Sequence, residues 1–293
     1  MTVASYCLGW QKSLPDFRDL SLESPEVRAL FERLPPLPHS DNSASDSESL
    51  AAYFPDVDDQ LQINSSSAQA CVDLVQYFER RALGRTVKQS KLFVHQTTQR
   101  LLGASGINGT DLRSTLKAIA TFGIPYEQHW PYEVERAGEE PTAFLYACAE
   151  RLRPIQYVRL DGRNGTGQET LAVMKSMLRA GFPCVFGFSV PTSVSRDADI
   201  PYRPTFDTIQ GGQAVVAVGF DDRRFGSTKG ALQVRNSWGR DWGDDGYGWL
   251  PYAYVEEQLA ADFWTVVSED WLDSEEFWRP DLPVLARSDD ESR

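Results

Sequence analysis

A chain of 293 residues with 41% hydrophobic content has room for one or two domains around a substantial core. Its net charge of −13 argues against nucleic acid or an anionic membrane as a partner, and no apolar run approaches a membrane span. The N-terminus, Met1 to Cys7, lacks the basic and long apolar regions of a secretory signal, and the cysteines at 7, 71, 148 and 184 are scattered without metal-ligand spacing; a cytoplasmic protein without metal or cofactor is expected.

Taken in chain order, residues 1–52 read as a leader and linker. Pro35-Pro36-Leu37-Pro38 and the Ser/Asp/Asn-rich run after it read as flexible. A helix is predicted over 66–84. Val72, Val75, Tyr77 and Phe78 supply its apolar sides, Ser65 or Ser66 its cap and Gly84 its stop. Further helices are expected near 90–103, at 110–122 and at 141–152. From about 154 the texture changes. Ile155 to Leu160 alternates as a strand, a helix covers 167–180, and Pro183 to Val190 reads as a buried strand. Strands at 213–221, 230–237 and 246–250 follow. The chain thus divides into a leader and linker (1–52), a helical domain (53–153), a β-rich domain (154–267) and a tail (268–293).

Three runs carry the functional signal. The first is Asp59-Gln60-Leu61-Gln62-Ile63-Asn64-Ser65-Ser66-Ser67-Ala68. The second is Gly211-Gly212-Gln213-Ala214-Val215-Val216-Ala217-Val218-Gly219-Phe220. The third is Asn236-Ser237-Trp238-Gly239, continued by Trp242-Gly243-Asp244-Asp245-Gly246-Tyr247-Gly248. In this order they resemble the papain-like cysteine peptidases, whose patterns read D-Q-G-x-x-G-S-C-x-A, G-H-A-V-x-x-V-G-Y and N-S-W-G-x-x-W-G-x-x-G-Y. Gly9-Trp10 with Pro15-Asp16-Phe17-Arg18-Asp19 is similar to the short leader of bacterial members. The resemblance implies an α+β fold in which a helical domain packs on a β-rich, barrel-like domain across an interdomain cleft. It covers roughly residues 53–267.

The resemblance also assigns residues. Ser66 stands at the nucleophilic cysteine, Gln213 at the histidine, Asn236 at the asparagine that orients it, and Gln60 at the glutamine that helps form the oxyanion hole. Both family glycines near that hole are replaced, by Leu61 and Asn64. Asn108-Gly109-Thr110 matches the N-G-G loop that pairs with an extended peptide, with Thr110 in place of the second glycine; its side chain is expected to obstruct that pairing. Gly212 and Trp238 line the cleft. The disulfides that secreted relatives carry near the nucleophile have no counterpart here, which favours a reducing compartment.

The substitutions decide the chemistry. An amide cannot accept and return a proton near neutral pH, so Gln213 is no general base. A serine hydroxyl needs a strong adjacent base to attack a carbonyl, and Ser66 has none in sequence. His39 sits in the Pro/Ser-rich stretch. His95 and His129 read as packing or surface residues, and Cys71 as a small core residue one turn and a half beyond Ser66. The expectation is a pseudoenzyme that binds a protein or peptide; the alternative is an atypical hydrolase using Ser66. A neutral Ser66–Gln213–Asn236 hydrogen-bond chain is expected to join the domains.

The tail is acidic. Residues 269–293 hold nine acids and three arginines, which supplies −6 of the −13. Trp271, Phe277 and Trp278 are interleaved with those acids, and a disordered tail rarely carries such large apolar groups. They are expected to dock either on the helical domain or on a partner.

Overall fold

A computed structural model describes residues 6–32, 45–84, 87–104, 108–149, 155–162, 165–227, 229–274 and 277. The N-terminal segment contributes β1 (Leu20–Ser21), α1 (Pro25–Phe31) and β2 (Ser47–Ser49). The helical half follows as α2 (Ser66–Leu83), α3 (Lys91–Leu101), α4 (Leu112–Phe122) and α5 (Ala143–Cys148). The sheet-rich half comprises β3 (Gln156–Arg159), α6 (Gly167–Arg179), β4 (Cys184–Pro191), β5 (Ile209–Asp221), β6 (Ala231–Arg235), β7 (Tyr247–Pro251), α7 (Ala253–Glu256) and β8 (Ala260–Val267), and α8 (Glu269–Leu272) comes after it. The eight strands form one sheet in the order β1-β3-β8-β4-β5-β6-β7, with β2 paired to β5. This is the expected α+β architecture.

Local chemistry sets the element ends. Ser90 and Asp111 cap α3 and α4 by accepting from Phe93 N and Ser114 N. Thr166 and Glu169 form a reciprocal capping box on α6, and Gly84 ends α2 in the left-handed region. Ser65 does not cap α2; its hydroxyl is committed elsewhere, as described below. Two N-terminal readings need correction. Residues 45–52, read as linker, include β2, which pairs with Gly219–Asp221. The leader also belongs to the fold, since β1 extends the sheet beside β3 and Val27 and Leu30 of α1 enter the main core.

Helix α2 is the axis of the molecule. All but two of its 18 residues are buried, so its polar side chains must find partners inside the protein. Asp73 meets Arg235 of β6 at 2.7 Å and Lys91 of α3 at 2.6 Å, and Lys91 also reaches Asp58 at 2.7 Å. The remaining Arg235 donors go to the carbonyls of Pro55 and Asp56 and to Tyr247 Oη. Cys71 is fully buried, and burial pushes its thiol well up.

The first part of the tail is docked in cis. Trp271 and Phe277 stack on Phe78 of α2, with ring centroids 5.2 and 6.0 Å away. The Arg81 guanidinium donates to the Phe277 carbonyl at 2.6 Å and lies over its ring. Trp271 and Phe277 are therefore not free anchors for a partner; Trp278 lies outside the described residues.

Two outcomes follow from this packing. Phe277→Ala should lower unfolding stability by about 3 kcal/mol in a denaturant titration, the usual effect of removing a buried aromatic ring. The second concerns acid. Burial pushes the Asp58 carboxyl up, but Lys91, Lys88 and Arg235 outweigh it and hold it at about 2, below its ordinary 3.8. Its stabilising contribution is complete above about pH 4 and is lost as pH falls through 2. Asp58→Asn should flatten the stability profile between those limits and leave its slope near neutral pH unchanged.

Candidate functional site

The cleft between the two halves gathers Gln60, Ser66, Gln213 and Asn236, as the motif alignment requires. Gln213 lies on β5 opposite Phe188 of β4, Asn236 directly follows β6, and Ser66 opens α2. All four are buried. Gln213 Nε2 donates to Gln60 Oε1 and to Asn236 Oδ1, each at 2.9 Å, with Ser237 Oγ at 3.3 Å. Ser237 Oγ in turn donates to Gln60 Oε1 at 2.7 Å, and Ser237 N donates to Asn236 Oδ1 at 2.8 Å. Gln213 Oε1 and Asn236 Nδ2 are buried without a hydrogen-bond partner among the described residues.

Ser66 is not part of this network, which corrects the expected Ser66–Gln213–Asn236 chain. Its Oγ accepts from the Ala214 backbone N–H at 3.2 Å. The network instead runs Gln60–Gln213–Asn236 with Ser237 closing it. Sequence reading passed over Ser237 because the family pattern gives it no separate role. Tyr132 was missed in the same way. Its hydroxyl meets Ser65 Oγ at 2.5 Å and donates to the Gln60 carbonyl at 2.9 Å. Burial pushes that phenol up to about 12.

The histidines offer no base among these contacts. His129 lies in the turn 127–129 with its ring near Tyr126 and Phe144. His95 is fully buried within α3, and His39 lies outside the described residues. Leu61, one of the two residues replacing glycines, keeps a left-handed backbone with φ 51°. A non-glycine residue there carries about 1–2 kcal/mol of strain.

The cleft is already filled. Residues 6–13 of the leader run along it in extended form. Trp10 N donates to the Gly212 carbonyl at 3.0 Å, Thr110 N to the Gly9 carbonyl at 2.9 Å, and Gln11 N to the Thr110 carbonyl at 3.2 Å. Gln60 Nε2, the oxyanion-hole donor by resemblance, donates to the Cys7 carbonyl at 3.0 Å. Tyr6 stacks on Trp238 at 4.1 Å and 12°. Thr110 does not obstruct strand pairing, contrary to expectation. Its side chain is buried and turned toward Thr115, which leaves its backbone N–H and carbonyl for the leader. Asn108 is exposed, and its carbonyl accepts from the Gln99 amide. Gly109 lies so close to Gly9 that any side chain there would collide with it.

Residues 44–260 match the papain family cysteine proteases. The chain belongs to this family. An uncharacterized peptidase C1-like protein of Acanthamoeba polyphaga mimivirus is 31% identical over 217 residues, covering 71% of this chain and 68% of that one. A cathepsin B-like protein of Giardia intestinalis is 27% identical over 55% of this chain and 54% of its own length. The crystal structure of xylellain, a cysteine protease from Xylella fastidiosa, superposes with a TM-score of 0.71 at 29% identity, covering 90% of this chain and 96% of that one. Within this papain-family fold the described helices include none long and apolar enough to cross a membrane. The described residues also hold no group of three or more His, Cys, Asp or Glu side chains suited to a metal.

The polar network gives a direct test of its structural weight. Gln213→Ala removes the donor shared by Gln60 Oε1 and Asn236 Oδ1 and leaves buried acceptors with fewer partners. A stability loss of about 1–3 kcal/mol is expected, read as a lowered melting temperature. An unchanged melting temperature would show that the network adds nothing to stability.

Proposed function

We propose that this papain-family protein is catalytically inactive and acts as a protein- or peptide-binding module. The observation that carries the reading is the state of the two reacting positions. The Gln213 amide is spent on Gln60 and Asn236, and Ser66 Oγ serves as acceptor for a backbone amide. Papain-type attack needs a thiolate stabilised by an imidazolium. A serine in its place needs a base to remove its proton, and a carboxamide does not do this.

Two further features support the reading. Ser66 is buried beneath the leader, where a Cβ on Gly9 would come within 2.9 Å of Ser66 N. The carbonyl of Cys7 already occupies the Gln60 donor. What the protein retains is the groove and its strand-pairing edge. Its relatives are named as proteases, which act on polypeptides, and holding an extended chain is the part of that activity the retained groove can keep.

The wild-type protein should neither turn over peptide substrates nor react at residue 66 with a fluorophosphonate or a thiol-directed epoxide, as read by intact-mass spectrometry. Covalent modification of Ser66 by the fluorophosphonate would overturn the reading in favour of an atypical serine hydrolase. The Ser66→Cys/Gln213→His double variant should remain at least 100-fold slower than an active papain-family enzyme, because the leader and the residues Leu61 and Asn64 are still in place.

A further inference from the structure

The chain has five asparagines, and two of them, Asn108 and Asn164, precede glycine. An asparagine amide carbon lies within reach of the next residue's backbone nitrogen, and a glycine there has no Cβ to hinder ring closure. Asn164 lies outside the described residues. Of the described asparagines, Asn64 is half-buried, and the Ser65 N–H after it donates to the Ile63 carbonyl at 2.8 Å. Asn236 is buried, and the Ser237 N–H after it donates to the Asn236 side chain. Asn108 differs on each count. Its side chain is exposed, and among the described residues neither its amide nor the Gly109 N–H has a hydrogen-bond partner.

The backbone carbonyl of Asn108, by contrast, is held. The buried Gln99 amide donates to it. When the Gly109 nitrogen loses its proton, the negative charge spreads onto that oxygen, so a fixed donor there stabilises the anion that attacks. We propose that Asn108-Gly109 is a self-modification site, in which Gln99 promotes deamidation and the product loosens the leader strand. The Gly109 nitrogen bonds to Asn108 Cγ, the Cγ–Nδ2 bond breaks, and ammonia leaves with the proton taken from Gly109. Water then opens the cyclic imide at one of its two carbonyls, giving aspartate or isoaspartate at position 108. Water is the one co-reactant, and no redox change occurs.

The leader is where the product is felt. In isoaspartate the main chain runs through the former side-chain carbons, which lengthens it by a carbon between position 108 and the Gly109 nitrogen. Gly109 has no room to absorb that length, since even a Cβ there would collide with the Gly9 backbone. The next residue, Thr110, donates to the Gly9 carbonyl at 2.9 Å and accepts from Gln11 N at 3.2 Å. These bonds flank Trp10 and hold the leader in parallel register with Thr110. A longer segment before Thr110 moves both groups off that register. Aspartate, the other product, keeps the chain length and adds only a charge at an exposed position.

The test ages the full chain in a mildly alkaline buffer made with heavy-oxygen water. Peptide mass spectrometry then reads each site, because hydrolysis of the imide leaves a heavy oxygen behind. Asn164, also followed by glycine, is the internal comparison. Gln99→Met removes the donor and should slow labelling at Asn108 about 10-fold while leaving Asn164 unchanged. Equal labelling of Asn108 in the two proteins, or equal slowing at both sites, would overturn the role of Gln99. A wild-type Asn108 that stays unlabelled while Asn164 converts would overturn the site itself. If Gln99→Met does not fold, a synthetic peptide of residues 104–113 supplies the donor-free rate, which should be about 10-fold below that of the folded chain; a peptide rate equal to or above it counts against the proposal. The leader is read by hydrogen exchange in an Asn164→Gln background, so that Asn108 is the asparagine-glycine pair that converts. The backbone amides of Trp10 and Thr110 should exchange about 10-fold faster in the aged chain than in fresh Asn108→Asp. Equal exchange in those two proteins would overturn the loosening of the leader by the lengthened backbone.

Discussion

The geometry of the site depends on one buried ion cluster. Arg235 is fully buried at the end of β6, and its guanidinium is held by Asp73 of α2 and by two carbonyls of the segment before Gln60. A guanidinium taken out of water is tolerated only when its donors are met, so this position fixes where β6 lies on α2. The next two residues along the chain are Asn236 and Ser237. Their reach to Gln213 and Gln60 is set by that anchor, and Lys91 extends it through Asp73 to α3. The cluster is weak evidence for net stability. Its role is positional, since it orients a strand of one half against the central helix of the other.

On that frame the site is held by a neutral network of side chains. The Gln213 amide hydrogens reach both Asn236 and Gln60. That network keeps the two halves joined and pairs acceptors that would otherwise be buried without a donor. The Ser66 hydroxyl does a similar job by receiving the Ala214 amide. Both side chains therefore have structural work that does not involve chemistry, which agrees with the proposed non-catalytic reading.

Much of this was legible in the sequence, for physical reasons that can be named. The helix at 66–84 was visible because a buried helix needs apolar groups on several sides and a glycine at its end, and the structure places it at Ser66–Leu83. The strands around Gln213 and Asn236 were visible because β-branched and small residues run unbroken through them. Two features were hidden. The Ser237 contribution was hidden because a serine in a fixed motif gives no sign of which acceptor it will face. The leader was hidden because its fit is distributed. Gly9 matters through Asn64 and Ser66, and Trp10 through Gly187 and Gly212, and no local periodicity links positions so far apart. The tail was half legible, since Trp271 and Phe277 announced burial but not the surface that buries them.

The placement of charge separates what holds the protein together from what occupies its cleft. The groups that bridge the halves at the site are amides and a hydroxyl, which do not titrate. Beside them stands the Arg235–Asp73–Lys91–Asp58 cluster, where Asp58 is held ionised down to about pH 2. In the groove the leader is held through its backbone, by Thr110, Gly212 and the Gln60 amide, and through the Tyr6 ring on Trp238, so it adds a strand to the cleft without drawing on the ion cluster.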